Sequence, residues 1–182
     1  MPKRASAYAP RVPLAPPQAR EGSPAAWFGP AGDLPDVNVW LALAVEEHPH
    51  HAAAREYWAT LQAAHPRPIL WFCRVTMLGL VRLLCNPKVV GRGALDAKAA
   101  WAVYRAFTDS QAVGLLPEPQ ACDGQLQAYV AAQALPPRLW TDAYLAALAQ
   151  SSGARLVTFD TDFKRFGLDR WLLLPGAAAG AH

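Results

Sequence analysis

Four aspartates stand where carboxylates could act on a ligand. Three lie in "LWTDAYLAALAQSSGARLVTFDTDF", which runs from Leu139 to Phe163: Asp142, Asp160 and Asp162. The passage is otherwise mostly apolar and core-like. The fourth is Asp36, in "LPDVNVW", with Asn38 two residues on. Carboxylates that converge repel one another unless a cation holds them. Hard oxygen ligands suit Mg²⁺ or Mn²⁺. Such a cluster serves phosphodiester hydrolysis, because a divalent ion can activate water and stabilise charge on the phosphate. Each aspartate also has an ordinary structural use. Asp36 and Asp142 could cap helices, and Asp160 and Asp162 could close Asx turns.

The elements that must position these acids follow from the apolar pattern. "DVNVWLALAV" starts as a strand-like run and continues as helix. "HHAAAREYWATLQAA" reads as helix, "PILWFC" as strand and "TMLGLVRLL" as a helix stopped by "CNPKVVGRG". "ALDAKAAWAVYRAF" is the next helix, with Leu95, Ala99, Ala102, Val103 and Ala106 on its expected apolar face. "AVGLLP" is a short strand, and "DGQLQAYVAAQA" and "WTDAYLAALAQSSG" are helices, the latter with Gly153 at C′. "ARLVTF" and "WLLL" are strands, with "DTDFKRF" as a turn or short helix between them. Strands separated by helices predict an α/β fold: three α/β/α layers around a mainly parallel sheet. In such sheets ligands gather at the carboxyl ends of the strands. Asp160 directly follows one strand, and Asp36 sits at the passage from another into its helix. Asp142 heads a helix in line with Leu145, Ala146 and Ala149, a stripe expected to face the sheet. Acids from distant parts of the chain can thus meet at one rim.

Composition bounds the rest. The 182 residues suit one domain with a tail. Residues 1–33 include seven prolines and show no sustained period, so they are expected to be a disordered extension. The folded domain is expected over 34–175, and 176–182 as a flexible tail. The net charge of +3 misleads, because Lys3, Arg4, Arg11 and Arg20 lie in the extension, with only Glu21 and Asp33 against them. The core is nearly neutral, so polyanion binding requires a local patch or metal ions. No apolar run reaches the ~18 residues that span a bilayer. The N-terminus has no apolar h-region of a secretory signal. Cys73, Cys85 and Cys122 lack C-x-x-C spacing, which fits a reducing cytoplasm better than a disulfide framework.

Three blocks, "DVNVWLALAVEEHPHHAAAREYW", "TMLGLVRLLCNPKVVG" and "LWTDAYLAALAQSSGARLVTFDTDF", together resemble the PIN-domain ribonucleases, specifically VapC toxins of bacterial toxin–antitoxin pairs. The likeness runs from about Leu34 to Leu174. It implies a compact α/β/α domain that cuts RNA with Mg²⁺ or Mn²⁺, often as a homodimer, restrained by a VapB-like antitoxin. It also implies that Asp36, Asp142 and Asp160 bind the metal, with Asp162 as accessory acid and Asn38 and Thr158 orienting the site. Two features depart from the pattern. The family's E-x-x-R on the third helix reads "GLVR" here, so Gly79 stands at the expected Glu while Arg82 remains. Pro35, just before Asp36, is awkward in a central strand, so that strand is expected to be short or displaced.

Arg138, Lys164 and Arg165 flank the acids in sequence and, with Arg82, are the candidate RNA contacts. Lys88 and Arg92 belong to a connection that is either solvated or phosphate-binding. His48, His50 and His51 have no further Cys or His at ligand spacing, so a helix start is favoured over a metal site. Ser151 and Ser152 have no nearby His to activate them. Two other classes compete with the nuclease. A degenerate PIN domain would bind RNA or a protein without cutting, and Gly79 keeps that reading open. A metal-dependent phosphatase using "DTDF" is disfavoured, because its paired acids belong at the first strand, where this chain has "DVN".

Overall fold

The computed structural model describes residues 32–110 and 112–176. Residues 1–31 of the expected extension and the last six residues therefore lie outside it. Five parallel strands form one sheet in the order β3-β2-β1-β4-β5. They are β1 (Gly32–Pro35), β2 (Ile69–Phe72), β3 (Val113–Leu115), β4 (Arg155–Thr158) and β5 (Trp171–Leu173). The chain steps outward from β1 through β2 to β3, then returns to β1's other side for β4 and β5. The direction reverses between β1 and β4, which is where such a sheet opens a crevice at its carboxyl edge.

Helices cover both faces, as the three-layer expectation requires. On one face α1 (Val37–Ala44), α2 (His51–Ala63), α3 (Arg74–Leu84) and α5 (Ala97–Thr108) enclose a core of Trp40, Leu70, Phe72, Leu80 and Val157. On the other, α6 (Cys122–Ala132) and α7 (Trp140–Ser152) pack Ala146 and Leu145 against Leu34 and Leu156. The alternation of Leu156 and Val157 between the two cores is the period-2 signature of a strand buried on both sides. Trp40 stacks on Phe72 at 3.8 Å between ring centres. Trp101 and Trp140, by contrast, are exposed. No helix among the described residues is long and apolar enough to cross a membrane.

Several boundaries differ from the expected ones. β1 begins at Gly32, inside the stretch assigned to the extension, and Asp33 is buried there. Arg155 donates to both Asp33 oxygens, at 2.8 and 2.7 Å, and Tyr57 Oη donates to one of them at 2.7 Å. A buried carboxylate needs such partners, and none of the three is near the others in sequence. β1 is short but not displaced: it is the central strand. Pro35 is tolerated as its last residue, and the next N–H, from Asp36, reaches Val157 O at 2.8 Å. The connection after α3 is not a bare loop but a one-turn helix, α4 (Pro87–Val90), followed by a 3-10 turn, with Lys88 and Arg92 exposed. On α5 the buried residues are Ala100 and Tyr104, with Val103 and Phe107 partly buried, while Ala102 and Ala106 face solvent. Two large rings outweigh small alanines in setting the face.

Close approach decides two glycines. Trp71 on β2 lies between Gly32 on β1 and Gly114 on β3. A Cβ at Gly32 would stand 2.6 Å from the indole nitrogen, and one at Gly114 would stand 2.6 Å from Trp71 Cζ3. The indole occupies the space that side chains on both neighbouring strands would need.

Candidate active site

Asp36 is the N-cap of α1. It leaves β1 in an extended conformation, and its Oδ1 accepts the Asn38 N–H at 2.9 Å. Its other oxygen accepts from Thr158 Oγ1 at 2.9 Å and lies 3.5 Å from the Asn38 amide nitrogen. Thr158 ends β4, and its hydroxyl also accepts the Asp160 N–H at 2.9 Å. Asp160 in turn caps the 3-10 turn Thr161–Phe166 by accepting the Asp162 N–H at 2.7 Å. One hydroxyl therefore ties the acid after β1 to the acid after β4, across the crevice of the sheet. The capping and turn readings hold for Asp36 and Asp160. They do not exclude ligation, since each carboxylate keeps unused lone pairs.

Asp142 behaves differently. The N-cap position of α7 is Leu139, so Asp142 sits in the first turn and is not the cap. Leu145, Ala146 and Ala149 are buried beneath it, as the helical stripe predicts. The half-buried Asp142 carboxyl is pushed up to about 6, first by desolvation and then by the charges of Asp36, Asp160 and Asp162. Asp36 is raised as well, mainly by burial and further by Asp160. Three acids from three parts of the chain thus share one field, and two hold their protons more tightly because of it.

Asp162, the expected accessory ligand, is occupied otherwise. Arg138 Nη1 pairs with it at 2.7 Å and Arg165 Nη2 at 3.5 Å, and its carboxyl is lowered by Arg138 first. Two guanidinium groups therefore already neutralise it. Arg138 and Arg165 are at the rim as expected, and Lys164 is exposed beside them. Arg82 is apart from this group, on a groove it shares with Val37, Leu78, Trp101 and Thr141.

Gly79 stands against the residue that follows Asp36. A Cβ there would lie 2.9 Å from Val37 Cγ2, so the valine after Asp36 fills the space that the glycine opens. Gly79 thus lies where α1 and α3 meet. The sequence pattern alone gave no sign of this, because it depends on how two helices cross.

Among the described residues, no three His, Cys, Asp or Glu side chains are grouped so as to hold a metal ion. A closed cage of protein ligands, as structural zinc requires, is not what this rim offers. Mg²⁺ has different needs: one or two carboxylates suffice, and water completes its octahedron. The donor set here is all oxygen, and its raised carboxyls gain from a neighbouring cation. On that chemistry the residues fit a Mg²⁺- or Mn²⁺-type ion.

Sequence reasoning gave no weight to two arrangements. One is the Asp33–Arg155–Tyr57 clamp at the other end of β1 and β4. The other is a cleft lined by Asn38, His48, Pro49, His50, Phe159, Asp160 and Thr161. Its signal was the "HPHH" run, which does start a helix as expected, with His50 as the N-cap residue of α2, and also lines this cleft.

Comparison with known proteins agrees with the fold. Residues 34–168 match the PIN domain family. The chain is 41% identical over 138 residues to the ribonuclease VapC41 of Mycobacterium tuberculosis, covering 74% of this chain and 92% of that one. It is 36% identical over 130 residues to the ribonuclease VapC38 of the same species, covering 70% of this chain and 84% of the relative. Among solved structures, VapBC2 from Rickettsia felis bound to a promoter DNA fragment aligns with a TM-score of 0.58 at 11% identity, over 79% of this chain and 98% of that one. Mycobacterium tuberculosis VapC20, a sarcin–ricin loop cleaving toxin, aligns at 0.56 and 18%, over 79% of this chain and all of the other. With acids after β1 and β4 and at the head of α7, and with this similarity over the whole domain, the chain belongs to the VapC family of PIN-domain proteins.

Proposed function

We propose that this protein is an endoribonuclease that hydrolyses RNA phosphodiesters with Mg²⁺ or Mn²⁺, as the toxin of a VapBC-type pair. The observation that carries the reading is Asp142: a half-buried carboxyl raised to about 6 by burial and by three other acids. A folded protein keeps such repulsion where it has a use, and a cation site is that use. Asp36, Asp142 and Asp160 would hold the ion. A bound divalent ion supplies an activated water and takes up charge on the phosphate. The chain's own work is positioning. Thr158 and Asn38 fix the Asp36 carboxylate, Asp162 fixes Asp160 through its backbone N–H, and Arg138, Lys164 and Arg165 offer cations to the RNA backbone.

A VapB-like antitoxin is the proposed protein partner. Support comes from solved relatives that are VapBC assemblies, including one from Salmonella typhimurium bound to DNA. A homodimer is proposed as well, and the exposed apolar residues Leu78 and Trp101 on α3 and α5 support a protein contact there. A cytoplasmic location is proposed to match.

Gly79 favours a second reading, a PIN domain that binds without cutting. One experiment separates the two. Purified chain is titrated with Mn²⁺ by calorimetry and assayed on structured and single-stranded RNAs. The nuclease reading expects Mn²⁺ binding that Asp142→Asn removes and metal-dependent cleavage that disappears with it. RNA binding without cleavage at saturating Mn²⁺ would leave the second reading in its place.

A further inference from the structure

The acids have a cleft on each side, and the two differ in chemistry. On the side of α3 and α5 the groove is walled by Val37, Met77, Leu78, Trp101 and Leu145, with Arg82 as its one charged group. It offers little that could pair with a sugar or a base edge. On the side of Asn38 and Asp160 the cleft is different. It measures about 400 Å³, and its lining combines three aromatic rings with Asn38, Asp160 and Thr161. His50 lies nearly parallel to Phe159, at 4.4 Å between ring centres and 18° between planes. Together they give the cleft an aromatic wall. His48 Nδ1 accepts the His50 N–H at 3.1 Å, so the proton of the neutral ring is on Nε2, which makes that nitrogen a donor. Burial and the neighbouring His50 and His51 lower His48, which favours that neutral ring. Asn38 and Thr161 are exposed and complete the rim.

The cleft is continuous with the acids. Asn38 reaches Asp36 with its backbone N–H, and Asp160 lines the cleft itself. A group seated here would be one step from a phosphate held at Asp36 and Asp160. Unpaired RNA bases stack on Phe and His rings, and their edges and 2′-hydroxyls take hydrogen bonds from side chains such as Asn, Thr and His. The volume falls in the ~300–1,000 Å³ range of small-molecule sites.

We propose that this cleft is a nucleotide subsite. It seats one unpaired RNA nucleotide beside the phosphate to be cut, with its base against the His50–Phe159 pair and its polar edges at Asn38, His48 and Thr161. The inference rests on the ribonuclease reading. It makes the enzyme selective for an unstacked nucleotide next to the cleavage point.

The test uses the full chain carrying Asp142→Asn, so that substrate survives. The probe is a short single-stranded RNA with 2-aminopurine at one position, placed at each position in turn. At one register the probe's fluorescence is expected to be quenched on binding. His50→Ala should abolish that quench and weaken binding about 5- to 100-fold, while His50→Phe, which keeps a ring, should restore both. In the chain with Asp142 intact, His50→Ala should raise KM far more than it lowers kcat. A second arm needs no substitution in the cleft. A 5-iodouridine RNA photocrosslinked to the chain should attach at His50 or Phe159, as mapped by mass spectrometry. Unchanged binding and quench in His50→Ala would overturn the subsite, as would crosslinks confined to Leu78 and Trp101. If RNA is cut normally in those cases, only the subsite falls. If the parent chain neither binds nor cuts any RNA, the ribonuclease reading falls and takes the subsite with it.

Discussion

At the scale of single residues, Asp142 is the most exposed to test. Its carboxyl is raised to about 6 against an ordinary 3.8, so the folded state binds the proton more tightly than the unfolded chain. The stability it contributes in metal-free protein is present below about pH 4 and is lost as the pH rises through about 6. Asp142→Asn should therefore flatten part of the loss between pH 4 and 6 in chelator, measured by urea melts, while cleavage at pH 7 in Mn²⁺ disappears. A variant that cuts RNA at the parental rate would remove Asp142 from the site. Thr158 is a quieter residue with a related test. Its hydroxyl holds both Asp36 and the Asp160 backbone, so Thr158→Val should lower cleavage or metal affinity about 10- to 100-fold. Gly79 calls for a paired substitution. Gly79→Glu alone forces Val37 aside, since even a Cβ would stand 2.9 Å from its methyl. Gly79→Glu with Val37→Ala should melt higher than Gly79→Glu alone. Equal melting temperatures would mean that Val37 already yields without cost.

At the scale of elements, the relation of β1 to β4 controls the site. Asp33 pairs with Arg155 in the sheet register and Pro35 with Val157, which brings Asp36 level with Thr158. The Asp33–Arg155 ion pair lies at the start of both strands and reinforces that register. A slip of one residue would turn every side chain of β1 to the other face. Arg155→Ala leaves Asp33 buried with only Tyr57 as partner, and should cost about 2–4 kcal/mol of unfolding free energy in denaturant melts, somewhat under the usual toll of a fully buried pair because Arg155 is partly exposed. A cost below about 0.5 kcal/mol, as for a surface pair, would show that the clamp matters little.

At the scale of the whole molecule, the reversal of strand order sets the place of chemistry. The chain leaves β1 and β4 in helices that diverge, so Asp36 and Asp160 meet at a crevice that no single element contains. The extension before Gly32 lies outside the described residues. Its Pro-rich, aperiodic composition predicts that deleting residues 1–30 leaves the melting temperature nearly unchanged. A large fall would show that Trp27 or Phe28 docks on the domain.

The acids themselves were legible from the chain, because Asp36 and Asp160 follow apolar strand runs and Asp142 heads an apolar helix. Those are local facts, written in residue type and period. So were the alternation of strands and helices, and with it the three layers. What local pattern could not supply is who touches whom across the fold. Asp33 reads as the end of a tail, yet it is buried because Arg155 and Tyr57, far along the chain, come to it. Gly79 reads as a lost carboxylate, yet Val37 from a crossing helix fills its place. "HPHH" reads as a helix start and is one, but the Phe159 that follows β4 also makes it the wall of a cleft. Period and propensity act over a few residues. Pairing, overlap and shared cavities are fixed only when distant segments pack, and here that packing decides which polar groups are partnered and which are left to face a ligand.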